Sequence, residues 1–211
     1  MAMPTWLDLL APLLRIRLLI ALCVCMVACE RRPVELGFWI EPVTYVSPRL
    51  GPPISITELR TIEEVARGEI VQAFAPFGVQ VTSNRDARYR VRVVPQLRDD
   101  RFRRSANHAG EARGMAGFGG SGFVNFEFVA NGATVFAPES AGREVVIAAI
   151  GRGIGRVAIH EYLHVLMPSA AIHDSRDPRS YEGNSPATVE GYFGDLHWGI
   201  AEPWLRSRLG R

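Results

Sequence analysis

The chain has 211 residues, of which 47% are hydrophobic, and its 24 basic and 22 acidic residues leave a formal charge of +2. That length fits one domain with or without an appendage, the apolar share supports a packed core, and the charge balance gives nucleic acid no strong attraction. Every basic residue is Arg, so Schiff-base and P-loop lysine chemistry are excluded. Cys23, Cys25 and Cys29 are the only cysteines, all near the N-terminus. The rest of the chain therefore has neither a disulfide framework nor a cysteine-ligated metal site.

Residues 18–28 form an apolar run preceded by Arg15 and Arg17. A positive segment followed by a short apolar one is the pattern of a secretory signal peptide, and the run is short for a bilayer span. It ends in Met26-Val27-Ala28-Cys29, with Glu30-Arg31-Arg32-Pro33 following. This resembles a bacterial lipobox, with Met26 where Leu is usual. The resemblance implies a diacylglycerol on Cys29, loss of residues 1–28, and a lipid anchor in the bacterial envelope. Glu30 after the cysteine fits outer-membrane sorting, facing the periplasm or the surface. The alternative is an uncleaved anchor helix starting near Trp6. The expected organisation is a signal peptide over 1–28, a lipidated N-terminus with first strand and linker over 29–54, and one domain over 55–211 that takes in the first strand.

Residues 34–46 are rich in β-branched and aromatic residues and read as a strand interrupted at Pro42. Residues 47–53 form a Pro/Gly linker. Ser55-Ile56-Thr57-Glu58 has capping-box spacing, and Ile62, Val65, Ala66, Ile70, Val71 and Phe74 recur on one helical face. A helix to about Phe74 is expected, ended by Pro76 and Gly78. Residues 79–82 and 89–94 read as strands, with Arg88, Arg90 and Arg92 on the solvated side of the second. Residues 96–122 are polar and rich in Arg and Gly and read as a long loop. Residues 123–129 and 133–137 flank Asn131-Gly132, which predicts a β-hairpin. Residues 140–167 are helix-compatible, with Gly151, Gly153 and Gly155 marking either a break or close packing on the sheet. Short helices are expected at 188–193 and 202–209.

His160-Glu161-Tyr162-Leu163-His164 is an HExxH motif on that long helical stretch. Residues four apart share a helix face, so His160 and His164 can offer ring nitrogens to one Zn²⁺. Glu161 lies about 100° round the helix and can serve as the base that deprotonates an attacking water. A catalytic zinc normally takes three protein ligands. His173 is the favoured third, nine residues after His164 and past Pro168. Glu190, Glu182 and His197 are the other candidates. Tyr181 and Tyr192 are possible oxyanion donors, each equally readable as a packed side chain. Asp174, Asp177 and Glu182 read as a solvated loop more than as groups supporting the ligands, and His108 as an exposed histidine.

The motif with His173 resembles the metzincin branch of zincin metallopeptidases, whose signature is HExxHxxGxxH. Met167 stands at the family's Gly position, Ala170 at its third-His position, and no Met follows His173, so the family's Met-turn is absent. The resemblance covers residues 34–174. It implies an α+β fold with a twisted mixed sheet, an antiparallel edge strand, one more strand, an active-site helix and a small loop-rich C-terminal subdomain. It also implies an edge strand that pairs with an extended peptide, and hydrolysis of a peptide bond by a zinc metalloendopeptidase. Two other readings share these residues: a non-catalytic envelope lipoprotein that binds a peptide or partner, and a zinc amidase acting on cell-wall peptide.

Overall fold

A computed structural model describes residues 33–98, 104–105, 108–115, 117–167, 172–173 and 176–209. Cys29 and the lipobox, Asp174, Pro168 and Ala170 lie outside the described residues. Val34–Arg211 group as one compact unit. The fold is α+β. Five strands form a mixed sheet in the order β2-β1-β3-β7-β6: β1 (Glu35–Ile40), β2 (Gln80–Thr82), β3 (Tyr89–Val94), β6 (Gly110–Met115) and β7 (Gly119–Asn125). β1, β2, β3 and β7 run parallel, and β6 pairs antiparallel with β7 at the edge. A separate two-strand ribbon joins β4 (Leu97–Arg98) to β5 (Arg104–Ser105). No helix among the described residues is long and apolar enough to cross a membrane.

Helix α1 (Ile56–Phe74) starts at the capping box that its sequence announces. Ser55 Oγ accepts from the Glu58 amide at 3.2 Å, and the Glu58 carboxylate accepts from the Ser55 amide at 2.9 Å. Ile62, Ala66, Ile70, Ala73 and Phe74 form its buried face. Fully burying each large aliphatic chain stabilises by about 1.5–3 kcal/mol. A 3₁₀ turn, Ala75–Phe77, leads to Gly78 at φ 63°, a left-handed position that Gly takes without a Cβ clash.

Helix α3 (Arg143–Leu166) carries the HExxH motif and is continuous through its three glycines. Each glycine answers a close approach. A Cβ on Gly151 would lie 2.7 Å from Val65 Cβ, and one on Gly155 would lie 2.7 Å from the Ala66 carbonyl, both on α1. A Cβ on Gly153 would lie 2.8 Å from Val129 Cγ1 and 2.5 Å from Tyr192 Cε1. The glycines thus mark packing rather than a break, and the packing is against helix α1 and the Val129–Tyr192 pair rather than the sheet. Arg143 joins the two helix starts by donating to Glu58 Oε1 at 2.6 Å and to Oε2 at 2.9 Å. The short helices α4 (Glu190–Phe193) and α5 (Glu202–Leu209) fall where expected.

Two expectations are corrected. The hairpin at Asn131-Gly132 does not form; residues 126–136 are helix α2 (Phe126–Phe136). Asn125 caps it, its Oδ1 accepting from the Phe128 amide at 3.2 Å. Phe126, Val129, Ala130, Ala133 and Thr134 are buried at helical spacing. Gly132 is not a turn residue there: a Cβ would meet the Pro186 carbonyl at 2.8 Å and the Tyr192 hydroxyl. Residues 96–122, read as a loop, contain the edge strand β6 and the start of β7. Their β-hairpin turns at Gly117-Phe118, with Gly117 at φ 77°.

Candidate functional site

Small residues on the strands let α3 lie directly on the sheet edge. Gly120, Gly122 and Val124 of β7 are paired with Gly114, Ala112 and Gly110 of β6. A Cβ on Gly122 would lie 2.7 Å from Glu161 Cβ, and one on Gly120 would lie 2.7 Å from Val165 Cγ1. A Cβ on Gly110 would overlap the Glu161 carboxylate. In the middle of the motif, Tyr162 points the other way. It is fully buried, donates to the Gly37 carbonyl at 2.6 Å, and meets Phe74 edge-on at 6.0 Å. That bond fixes the rotation of the helix relative to β1.

With the helix so fixed, His160 and His164 face one cleft, and the chain brings His173 to them. The ring centres are 5.0 Å apart for His160–His164, 4.8 Å for His160–His173 and 5.1 Å for His164–His173. Among the described residues this is the one group of His, Cys, Asp or Glu with three converging ligand atoms, all within 4.8 Å of one another. His160 Nδ1 lies 3.3 Å from the Tyr181 carbonyl. With Nδ1 protonated, Nε2 is left free as an electron-pair donor, the arrangement that orients a ligating imidazole.

Burial pushes the His160 ring down to about 4, helped by the charges of His164 and His173. Burial and His173 lower His164 as well. Both rings are therefore held neutral, the form that binds a metal. Glu161 is 5% exposed, and no described residue gives its carboxylate a hydrogen bond. Burial, with a smaller contribution from Glu111, pushes it up to about 8. A dication in the cluster would act in the opposite direction.

The cleft has a volume of about 590 Å³. One wall is the edge strand with Gly110, Glu111 and Ala112; the other includes Asn184, Ser185 and Pro186. Asn184 Oδ1 is buried without a hydrogen-bond partner among the described residues. A larger cavity of about 890 Å³ is lined by Glu41, Arg92, Glu111, Arg113 and Phe123. Arg92 pairs there with Glu41 and Arg113 with Glu111, Glu127 accepts from the Gln96 amide, and no histidine lines it. The reactive groups converge in the smaller cleft.

The other candidate ligands do not join the cluster. The Glu182 carboxylate accepts from the Gly199 amide at 3.0 Å and the Ala201 amide at 2.7 Å, closing the C-terminal loop. His197 pairs with Asp177 at 2.9 Å. Glu190 opens α4, where its carbonyl and that of Gly194 accept from the buried Arg156 at 2.8 Å each. Tyr192 donates to the Val129 and Pro186 carbonyls, and Tyr181 packs its ring 4.7 Å from Trp198. Both are packing residues, although the Tyr181 backbone touches His160. His108 is exposed near the start of β6.

Sequence reasoning missed Gly110, Gly120 and Gly122, whose alternation along β6 and β7 was the available signal, and it missed Asn184, for which no sequence signal exists. No protein-family model, no curated protein and no solved structure matches this chain.

Proposed function

We propose that the chain is a zinc-dependent hydrolase of peptide bonds, anchored by a lipid on Cys29 in the bacterial envelope. The observation that carries the reading is the meeting of His160, His164 and His173 beside a buried Glu161 that has no hydrogen-bond partner among the described residues. Three imidazoles without a carboxylate among them are a donor set that zinc takes, and the cleft leaves room for a substrate. Bound there, zinc supplies Lewis-acid chemistry, polarising a carbonyl and acidifying water.

The chain's own residues supply the rest. Glu161 takes the proton of the attacking water and passes it to the leaving amine. Its apolar surroundings favour the protonated intermediate state, so the carboxyl holds the proton between the two transfers. Tyr181 holds the His160 ring through its carbonyl. The edge strand β6 offers its outer backbone groups to an extended peptide, which would add as a further strand. β6, β7 and α3 come in the order that the metzincin resemblance implies, at residues 110–115, 119–125 and 143–166, with α2 intervening between β7 and α3. That order supports the metzincin-like reading.

Glu161→Gln should abolish peptide cleavage while zinc stays near one equivalent by elemental analysis. Unchanged cleavage by that variant refutes the reading. The alternative, a peptide-binding lipoprotein without catalysis, shares the cleft, and it is the outcome if the wild-type protein binds peptides with zinc present but leaves them intact.

A further inference from the structure

We infer that β6 selects its substrate by charge: an extended polypeptide added to its free edge is taken with a basic side chain, Lys or Arg, opposite Glu111, and that side chain enters the larger of the two cavities. The inference rests on the hydrolase reading above and names a substrate class for it.

β6 is the last strand of the sheet, so among the described residues one side of it has no strand neighbour. The Asn125 amide donates to the Ala109 carbonyl at 2.8 Å. Bonded pairs alternate with unbonded ones along an antiparallel ladder. Glu111 and Arg113 therefore turn their backbone groups inward to β7, whereas Gly110 and Ala112 turn theirs outward, where an added strand would bond to them. The side chains divide between the two faces of the sheet. A Cβ on Gly110 would overlap the Glu161 carboxylate, so Gly110 and Ala112 face α3, and Glu111 and Arg113 face the opposite side.

An added strand shares this alternation. Its residue opposite Ala112 faces the histidine cleft. Its residue opposite Glu111 faces the other side of the sheet, with the two Cβ atoms about 4.5–5.5 Å apart. Glu161 stands at the level of Gly110, one position from Glu111. The residue opposite Glu111 therefore lies beside the bond that Glu161 serves.

Room and charge there fit a basic residue. Glu111 lines both the cleft of about 590 Å³ and the cavity of about 890 Å³, so the two spaces meet at β6. The described side chains of the larger cavity include three carboxylates, Glu41, Glu111 and Glu127, against two guanidinium groups, Arg92 and Arg113. Both guanidinium groups lie over the Phe123 ring, 4.7 Å and 5.5 Å from its centre. Phe123 is on β7, so Arg113 leans away from the free edge. It donates to Glu111 Oε1 at 2.7 Å, and Oε2 accepts no bond from a described residue. The Glu111 side chain is 41% exposed and open to a ligand. An acidic residue in the same place would set like charges directly opposite each other, which destabilises strand pairing. Val43 and Val46 add apolar surface for the methylene stem of Lys or Arg.

The test uses the full chain with zinc bound and matched peptides carrying Lys, Gln or Glu at one position, scanned along their length. At one position next to the cleaved bond, kcat/KM should be about fivefold higher for Lys than for Glu. Glu111→Lys should invert that preference and Glu111→Gln should abolish it. Glu64→Lys makes the same change of net charge at an exposed position on α1 and should leave the preference as in the wild type. A preference that survives Glu111→Lys, or that responds equally to Glu64→Lys, overturns the inference. So does a wild-type protein indifferent to charge at every position. Failure to cleave any peptide sinks the hydrolase reading; the same Lys-to-Glu contrast in Kd, by fluorescence anisotropy, then decides this one. Peptides that are neither cleaved nor bound overturn both.

Discussion

Gly122 on β7 and Glu161 on α3 are in direct apposition: a methyl group on the glycine would lie 2.7 Å from the Glu161 Cβ and 2.8 Å from Val91 Cγ2. The candidate base therefore stands where it does because a strand residue has no side chain. Gly110 stands in a similar relation to the other end of the same side chain, the carboxylate.

The two glycines separate stability from activity. In Gly122→Ala the new methyl meets the stem of Glu161 and a core valine, neither of which has room to move. Overpacking of this kind costs about 1–3 kcal/mol. Gly110→Ala meets chiefly the far end of the Glu161 side chain, which can swing toward the cleft, and Val157 Cγ1 only at 2.9 Å, so it should lose less folding free energy than Gly122→Ala. Its cleavage rate should fall at least tenfold, because the base is displaced. Urea titration and a peptide-cleavage assay on both variants measure the contrast. Equal loss of stability in the two would show that the glycines serve packing alone.

Zinc should stabilise the fold through the three histidines. A ligand at one hundred times its Kd adds about 2.7 kcal/mol to a folded state that alone binds it. Calorimetry should show a rise in Tm on adding zinc to chelator-treated protein. His173→Ala should lose that rise. His197→Ala and Glu190→Gln should keep it, since neither side chain joins the cluster. A zinc response that survives His173→Ala and vanishes in Glu190→Gln would assign the third ligand differently.

Acid should weaken the junction of α1 and α3. Hydrogen bonds from Arg143, then from the Ser55 amide, hold the Glu58 carboxyl down to about 2. A carboxyl depressed on folding contributes stability that is present above its unfolded pKa, about 4.3, and lost as pH falls toward 2. The pair is partly solvated, with a quarter of each side chain exposed, so screening reduces the effect. Between pH 4.5 and 2 the urea midpoint of the wild-type protein should fall more steeply than that of Glu58→Gln. Parallel curves would remove Glu58 from the account. Ser55→Ala should cost about 1 kcal/mol at neutral pH by loss of the cap.

The parts legible in the sequence are those whose signal is local. Ser55 and Glu58 announce α1, alternation announces β3, and HExxH places two histidines on one helix face. The misread parts have a non-local cause. Residues 110–122 look like a loop because glycine is a poor strand former, yet 110–115 and 119–122 are strand because α3 needs a floor without side chains. Asn131-Gly132 looks like a turn because both residues tolerate positive φ. In the fold Asn131 accepts the Tyr45 hydroxyl at 2.6 Å, and Gly132 makes way for Tyr192. His173 was legible as a candidate from its distance along the chain. Its approach to the other two rings depends on long-range packing that no local signal specifies.

The three glycines of α3 also bear on the order in which the molecule assembles. Each costs about 1 kcal/mol of helix propensity relative to alanine, so the segment is a weak helix on its own. The surfaces that repay the deficit belong to α1, Val129 and Tyr192, which come from distant parts of the chain. α1, with its capping box, can form early from local signals, whereas α3 must wait for its neighbours. The histidines are then brought onto one face only at the end of folding. A nascent or partly unfolded chain would lack the assembled site and, under the proposed function, would not hydrolyse peptides. Pulsed hydrogen exchange during refolding should show amides of residues 56–74 protected before those of 151–164, and the reverse order would contradict this sequence of events.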